Sequence, residues 1–420
     1  AIAALHGTTE MIVLRNTGNT ALTGVGGLLT VSDRTSLNPP EIRTPEQVAT
    51  LLMNSADPAA MLEGVAAALR TRLSVPDEFD PATMTNAARD ALIARVKSGG
   101  VVRSRYLRPD TVSVAAIQAE LDAAGANAIS GSGSTEVYVP RGSATGSLAV
   151  PSGVRLIMSE QFTMTTPGTA FGAGISMVGT EGASTDLTAD ASKYGKVVAV
   201  TSTTGFAVGN WVMIRDNDYV NGGVAPNLEL AKIISISSLN VTLDRGLFTD
   251  YTVANGARMV LVTPCEKARI EGGVIQVPTG VSTGGGILFD LAVGARVDGT
   301  KVYGMSDLAG FALRRSQAVA LEDCYVADGQ DQTSVAGKAY GYAVYDGSSD
   351  VYLTRCDQYN LRESPVSGRA RHVTFRDCTS RKTYISAWNT HGWGENYINI
   401  LDCKTFGSGQ LCRGFVASCQ

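Results

Sequence analysis

The feature that most constrains this chain is a short pattern that returns six times between about residues 268 and 407. It reads Arg269-Ile270-Glu271-Gly272-Gly273, Arg296-Val297-Asp298-Gly299-Thr300, Ala320-Leu321-Glu322-Asp323-Cys324, Tyr352-Leu353-Thr354-Arg355-Cys356, Thr374-Phe375-Arg376-Asp377-Cys378 and Asn399-Ile400-Leu401-Asp402-Cys403. Between the last residues of successive copies the steps are 27, 24, 32, 22 and 25. That is a solenoid period with loops of variable length. Apolar and polar side chains alternate within each copy, as in Val319 and Leu321 or Val373 and Phe375, so each is a half-buried strand rather than a helix. A glycine or small polar residue then bends the chain before an inward Cys or small residue. A second strand, opened by glycine, precedes most copies: Gly286-Ile287-Leu288-Phe289, Gly310-Phe311-Ala312-Leu313 and Gly341-Tyr342-Ala343-Val344. Two or three short strands per repeat with no helix between them predict a mostly β chain, a parallel β-helix with coils about 4.8 Å apart around one continuous core.

Four of the repeats place Cys at one position, which predicts an inward ladder of thiols. Neighbouring rungs bring these backbones into disulfide range, but the side chains point the same way and seven Cys is an odd count, so the thiols are expected free. A chain of 420 residues exceeds one ordinary core and suits a solenoid with added modules. The formal charge of −4 gives no reason to expect nucleic acid. No apolar run reaches the length of a membrane span, and the N-terminus has no basic segment leading into an apolar stretch, so neither membrane insertion nor a secretory signal is expected. An uncapped solenoid end would expose strand edges, so further chain is expected beyond Gln420.

Residues 1–35 predict a small hairpin or clip, from Met11-Ile12-Val13-Leu14 and Leu28-Leu29-Thr30-Val31. From Thr44 to Gly99 three capping side chains precede proline, at Thr44-Pro45, Asp57-Pro58 and Asp80-Pro81, and open three short helices. Their stripes (Met61, Leu62, Val65, Leu69; Met84, Ala88, Leu92, Val96) pack either on each other or on copies of themselves about a symmetry axis. Residues 1–111 thus read as a mixed α/β mount. Next come an amphipathic helix from Val114 to Ala124 and strands at Glu136-Val137-Tyr138-Val139-Pro140-Arg141-Gly142 and Leu148-Ala149-Val150-Pro151-Ser152-Gly153-Val154; the helix would shield the open first coil. Residues 178–262 predict an inserted β domain with strands at Lys196-Val200, Gly205-Ile214, Glu229-Ile234 and Val241-Asp244. The rungs resume over residues 263–420.

The order of a helix carrying Ala-Ile-Gln, a strand carrying Val-Pro-Arg-Gly and a strand carrying Pro-Ser-Gly-Val resembles the start of the pectate-lyase-like β-helix of bacteriophage tailspikes. The segment Gly205-Phe206-Ala207-Val208-Gly209-Asn210-Trp211-Val212 is similar to a phrase in their small inserted domain. The Gly-Asp-Gly that often precedes the helix is missing. The resemblance covers about 112–407 and implies a right-handed β-helix and a homotrimer on the phage tail, made in the host cytoplasm. It implies attachment to tail or baseplate proteins through residues 1–111, and a surface polysaccharide, capsule or lipopolysaccharide O-chain, that the protein binds and depolymerises. The rival reading is a non-catalytic receptor-binding or structural tail protein with the β-helix as a rigid spacer; a cellular pectate-lyase-like enzyme comes third.

On the outer face of the first strand the column Glu271, Asp298, Glu322 offers carboxylates at glycosidase-like spacings, but the flanking Arg269 and Arg296 favour a surface salt-bridge ladder, which explains these acids without function. The loops between Tyr340 and Glu395 gather acids and flat side chains in a few rungs. Asp346, Asp357 and Glu363 are the candidate catalytic acids, and Tyr345, Trp388, His391, Trp393 and Arg371 the candidate substrate-binding residues, because cleavage needs a paired acid and base and sugar rings stack on aromatic faces. In a lyase Arg369, Arg371 or Arg381 would serve beside a uronate. Three His and no Cys-x-x-Cys predict no metal and no cofactor.

Overall fold

The computed structural model of the chain describes residues 111–131, 135–167, 173–220, 225–280, 284–306, 309–330, 339–390 and 396–407, with Leu107, Pro109 and five short strands outside these stretches. The chain divides into two compact units, Ala1–Tyr106 and Leu107–Gln420. In the first, Arg15–Asn16, Leu22–Val25 and Leu28–Leu29 form a three-stranded antiparallel sheet. The predicted strand at Met11–Leu14 and the three helices of 44–99 lie outside the described residues.

The second unit is a parallel β-helix of three ribbons. Ribbon 1 begins at Glu136–Val139 and runs through Arg296–Asp298, Ala320–Glu322, Ser349–Thr354, Arg371–Arg376 and Asn396–Leu401. Its register aligns Ile270, Val297, Leu321, Leu353, Phe375 and Ile400 inward, as the alternation predicted. Ribbon 2 is made of three-residue strands: Lys301–Tyr303, Tyr325–Ala327, Asp357–Tyr359, Thr379–Arg381 and Lys404–Phe406. Ribbon 3 includes Gly285–Asp290, Ala309–Arg314, Tyr340–Tyr345, Ser364–Val366 and Trp388–Thr390. One hydrophobic core runs inside all three.

Single residues make the corners. Between ribbons 1 and 2 stand Gly299, Asp323, Arg355, Asp377 and Asp402, and between ribbons 2 and 3 Gly304, Asp328, Asn360, Lys382 and Gly407, all at φ between 52° and 74°. Gly, Asp and Asn dominate because they tolerate the left-handed region best. The glycines that open ribbon 3 have another reason. A Cβ on Gly310 would collide with Val326 and one on Gly341 with Gln358, since the inward side chain of ribbon 2 fills that corner.

The thiols of Cys324, Cys356 and Cys378 are free and buried, each within reach of two backbone carbonyls of its own and the preceding rung, such as Leu353 O and Arg376 O for Cys378. Contact with Cys356, together with burial, pushes the Cys378 thiol up to about 12. The ladder behaves as apolar filling.

The predicted cap helix runs from Val114 to Ser130, with the Ser113 hydroxyl accepting from Ala116 N and Gly131 closing it at φ 68°. Ile117, Leu121 and Ala124 enter the core. Gln118 meets the edge strand Leu148–Ala149 as a strand would: its Nε2 donates to Ala149 O at 3.0 Å and its Oε1 accepts from Ala149 N at 2.9 Å. The inserted domain is a six-stranded antiparallel sheet. Beside the expected strands it includes Thr180–Asp186 and Arg258–Thr263.

Candidate functional site

The acids of ribbon 1 stack in the predicted column, Glu271, Asp298 and Glu322, and are tied up in ion pairs. Arg155 binds Glu136 and Glu271 at 2.6 Å each, Arg296 bridges Asp298 and Glu322, and Arg355 bridges Glu322 and Asp323. On this face the acids form the salt-bridge ladder.

The candidate acids divide between two faces. Asp357 lies on the outer face of ribbon 2, between Tyr325 and Thr379 in register, and its Oδ1 accepts from Thr379 N at 3.2 Å. Glu363 and Asp346 belong to the outer side of ribbon 3. Glu363 bridges Tyr340 at the start of the strand Tyr340–Tyr345, and Asp346 is the left-handed corner at its end, φ 49°. The whole six-residue strand, roughly 20 Å, separates those two backbones.

Tyr345 is the group that senses both. Burial raises its phenol well above its ordinary value, and Tyr340, Asp346 and Glu363 push the same way against Arg314. The phenol is therefore a protonated donor at neutral pH. Glu363 is 3% exposed; its Oε2 accepts from Asn389 Nδ2 at 2.7 Å and from Ser386 Oγ at 3.5 Å. Arg314 Nε holds Asp346 at 3.1 Å. The set is a buried carboxylate, a phenol donor and a half-buried ion pair, groups able to take and return a proton.

Behind Glu363 the core turns polar. The inward position of ribbon 2 changes from Val302 and Val326 to Gln358 and Ser380. Gln358 Nε2 donates to Ser380 Oγ at 3.0 Å and Ala387 O at 2.7 Å, while its Oε1 accepts from Ser364 Oγ at 2.5 Å. A satisfied network of this kind fixes its rungs. Gln358, Ser386 and Asn389 were missed as supports. The sequence signal was a polar residue at an inward ribbon position, readable only once the three-residue strands are in register.

Two expected substrate-binding residues are corrected. Trp388 is 3% exposed and packs in the core against Phe375, ring centroids 5.9 Å apart, so it offers no ring to a sugar. Arg371 is buried in the seam where the inserted domain docks on the rungs. Its guanidinium lies 4.3 Å from the Phe248 ring centroid, donates to Leu228 O at 3.3 Å and reaches Glu229 at 3.7 Å. Tyr251 OH donates to Glu229 at 2.8 Å. Burial raises the Glu229 carboxyl, and Arg371 opposes it. The seam continues through Arg369 to Asp218 at 2.6 Å and Arg245 to Asp350 at 3.2 Å, while His372 Nδ1 lies 3.2 Å from Asp350. His391 and Trp393 lie outside the described residues. Among the described residues no group of three or more His, Cys, Asp or Glu is placed to hold a metal ion, and no helix is long and apolar enough to cross a membrane.

Residues 183–263, most of the inserted domain, match the family described as K1 capsule-specific polysaccharide lyase, Rider domain. The chain is similar to a capsule K1-specific depolymerase of Klebsiella phage K64-1, at 22% identity over 238 residues, 54% of this chain and 26% of the relative. The chain thus spans about a quarter of that relative's length. Among solved structures it is similar to the tailspike gp49 of Pseudomonas phage LKA1, at 18% identity and TM-score 0.39 over 70% of this chain and 56% of that one. It is also similar to the gp54 tailspike of Acinetobacter baumannii bacteriophage AP22, in complex with capsular saccharide, at 11% identity and TM-score 0.36 over 80% and 75%.

Proposed function

We propose that this chain is part of a phage tailspike that binds a bacterial surface polysaccharide and depolymerises it, with the chemistry at Glu363, Tyr345 and Asp346. The observation that carries the reading is the match of residues 183–263 to the Rider domain of a capsule-specific lyase, in a chain whose β-helix holds that domain on the rungs next to these residues. The corner Asp346-Gly347 lies against it, since a Cβ on Gly347 would collide with the Leu228 carbonyl. In the lyase form of this reading Glu363 takes the proton from the carbon beside a uronate carboxylate, the bond from the adjacent carbon to the glycosidic oxygen breaks as a double bond forms between the two carbons, and the Tyr345 phenol protonates the departing oxygen; in the hydrolase form the proton comes from a water whose oxygen replaces the departing one. Arg314 fixes Asp346, and Asn389 fixes Glu363. Asp357, on its separate face, is retained as a candidate acid to be tested with them.

Trimeric assembly and attachment through residues 1–111 belong to the same proposal, supported by the apolar stripes of residues 44–99 and the tailspike-like order of motifs. A second reading, attachment without cleavage, draws on the burial of Glu363 and the ion pair of Asp346. The experiment that separates them incubates the protein with host capsule and records product mass and absorbance near 235 nm. A lyase leaves an absorbing unsaturated end; a hydrolase shortens the polymer without one. Glu363→Gln is expected to lose about 10²-fold in rate with melting unchanged. An intact polymer after incubation with a chain that binds it establishes the attachment reading instead, and wild-type rates for E363Q, D346N and D357N remove this site.

A further inference from the structure

We propose that the inserted domain holds a calcium ion between the carboxylate of Asp216 and the amide oxygen of Asn227, next to the seam where it docks on the rungs. The inference does not depend on the polysaccharide reading above.

The strands place the two side chains together. Trp211–Val220 and Ala225–Ser237 run antiparallel with Asp216 opposite Asn227 in register, and residues directly opposite point to the same side of a sheet with Cβ atoms about 5 Å apart. Both then reach the same segment of chain. Thr252 N donates to Asp216 Oδ2 at 3.3 Å, and Asn227 Nδ2 donates to Asp250 O at 3.0 Å. The carboxylate and the amide therefore border one gap between the sheet and residues 250–252. Solvent scarcely reaches it, since Asp216 is 2% exposed and Asn227 1%.

Each group lacks what its burial demands. Besides Thr252 N, the Asp216 carboxylate accepts from Asp218 N at 3.0 Å, and both donors are uncharged. Among the described residues no Lys, Arg or His pairs with it; of the guanidinium groups at the seam, Arg369 is taken by Asp218 and Arg371 lies against Glu229. Asn227 Oδ1 has no hydrogen-bond partner. Buried charges are paired or coordinate metals, and two acceptors side by side cannot satisfy each other. A cation between them satisfies both. Calcium takes carboxylate, amide and main-chain oxygens in irregular geometry, whereas magnesium demands an octahedron and keeps its waters. The register jumps from Asp216 opposite Asn227 to Tyr219 opposite Pro226, so Asn217 and Asp218 stand outside the ladder and can offer main-chain oxygens. A buried water is the other occupant such a gap could have, but it would leave the charge of Asp216 uncompensated. An ion here would tie the bulge that carries Asp218 to the strand that carries Leu228 and Glu229, the two sides of the seam's grip on Arg369 and Arg371.

The test strips the full chain with EDTA and titrates it with calcium chloride by calorimetry and with terbium chloride by luminescence excited through tyrosine. Tyr251 is placed to sensitise the terbium, since its phenol, raised by burial first and then by Glu229, also feels Asp216. Saturable binding is expected, with the melting temperature raised by about 3 °C or more at a hundredfold excess over Kd. Asp216→Asn is expected to lose about tenfold or more in affinity, and Asn227→Asp, which keeps the shape and adds a ligand charge, to gain about threefold or more while melting below wild type in EDTA. A gain cannot come from a misfolded chain, so Asn227→Asp decides the matter even if Asp216→Asn does not fold. No saturable calcium binding, equal affinity in D216N, or no gain in N227D overturns the proposal and leaves a buried water as the partner of Asn227 Oδ1. So does a melting temperature raised as far by sodium chloride as by calcium chloride at equal ionic strength, which would make the occupant a monovalent cation.

Discussion

Arg371 holds the seam by three contacts of different kinds, and the consequence of losing it follows from how little water reaches them. It is 3% exposed and Glu229 is 1% exposed, so Arg371→Ala leaves a carboxylate buried without its counter-charge. That costs about 3–5 kcal/mol, measurable by denaturant unfolding. Arg371→Met combined with Glu229→Gln removes both charges and is expected to recover most of the loss. The pH dependence has a definite sign. Glu229 has a raised carboxyl in the folded chain, so its contribution to stability is complete below the ordinary carboxylate range and is lost as pH rises through the raised value. Glu229→Gln therefore flattens the fall in stability on that interval; an unchanged profile would mean that the carboxyl is not titrating. Arg371 was read as facing a ligand because the sequence crowds acids, cations and aromatics around it. What covers it, Leu228, Glu229 and Phe248, comes from a module more than 100 residues earlier, and no local pattern carries that information. Trp388 failed for the mirror reason: its three-residue strand offers too few positions to tell inward from outward.

At the level of the element, legibility tracked strand length. Ribbons 1 and 3 have strands of up to six residues with two or three inward positions, and their alternation was plain in the sequence. Ribbon 2 exposes two residues for each one it buries, so Asp357-Gln358-Tyr359 carries no periodicity and hid the polar core. Thr180–Asp186 was hidden in the same way, being mostly exposed. The N-terminal edge is where a motif became a mechanism. Gln118 supplies one donor and one acceptor to Ala149, ending the ladder of ribbon 3 with a side chain. Gln118→Ala is expected to cost about 1–2 kcal/mol and to speed exchange of the Ala149 amide well before global unfolding; a protected Ala149 amide in the variant would show that the helix itself, and not this side chain, closes the edge. Gly310 makes a second test. Alanine there must displace Val326, an overpacking of about 1–3 kcal/mol, whereas Gly299, with nothing near its Cβ position, should lose only what its positive φ demands.

For the whole molecule the question is whether the inserted domain rides on the β-helix or is part of it. Its ends lie side by side: a Cβ on Gly179 would meet Thr263 O at 2.6 Å and Pro264 Cα at 2.8 Å, so the rungs could be rejoined without the insert. Yet the two share a core. Met213, Leu228, Leu230, Val260 and Val262 of the insert pack in one cluster with Leu291 and Val293 of the β-helix. Arg315 grips Asp290 through two 2.7 Å hydrogen bonds and also pairs with Glu181 of the insert, and Trp211 Nε1 donates to Glu266 at 2.7 Å. Cutting out residues 180–262 would bare Leu291 and Val293 and leave Arg371, Arg369 and Asp350 without their partners across the seam. Even if the exposed charges are fully solvated, the lost apolar burial at those two side chains alone is worth about 3–6 kcal/mol. The excised chain is therefore expected to melt well below the intact one, and in the intact chain the amides of Val212 and Val373 are expected to become exchangeable at the same denaturant concentration. If Val212 opens first while Val373 stays protected, the insert is an independent rider and the seam a surface contact. If they open together, the domain that matches the lyase family is a structural part of the rungs that carry Glu363 and Tyr345, and mutations in the seam should reach that site without touching it.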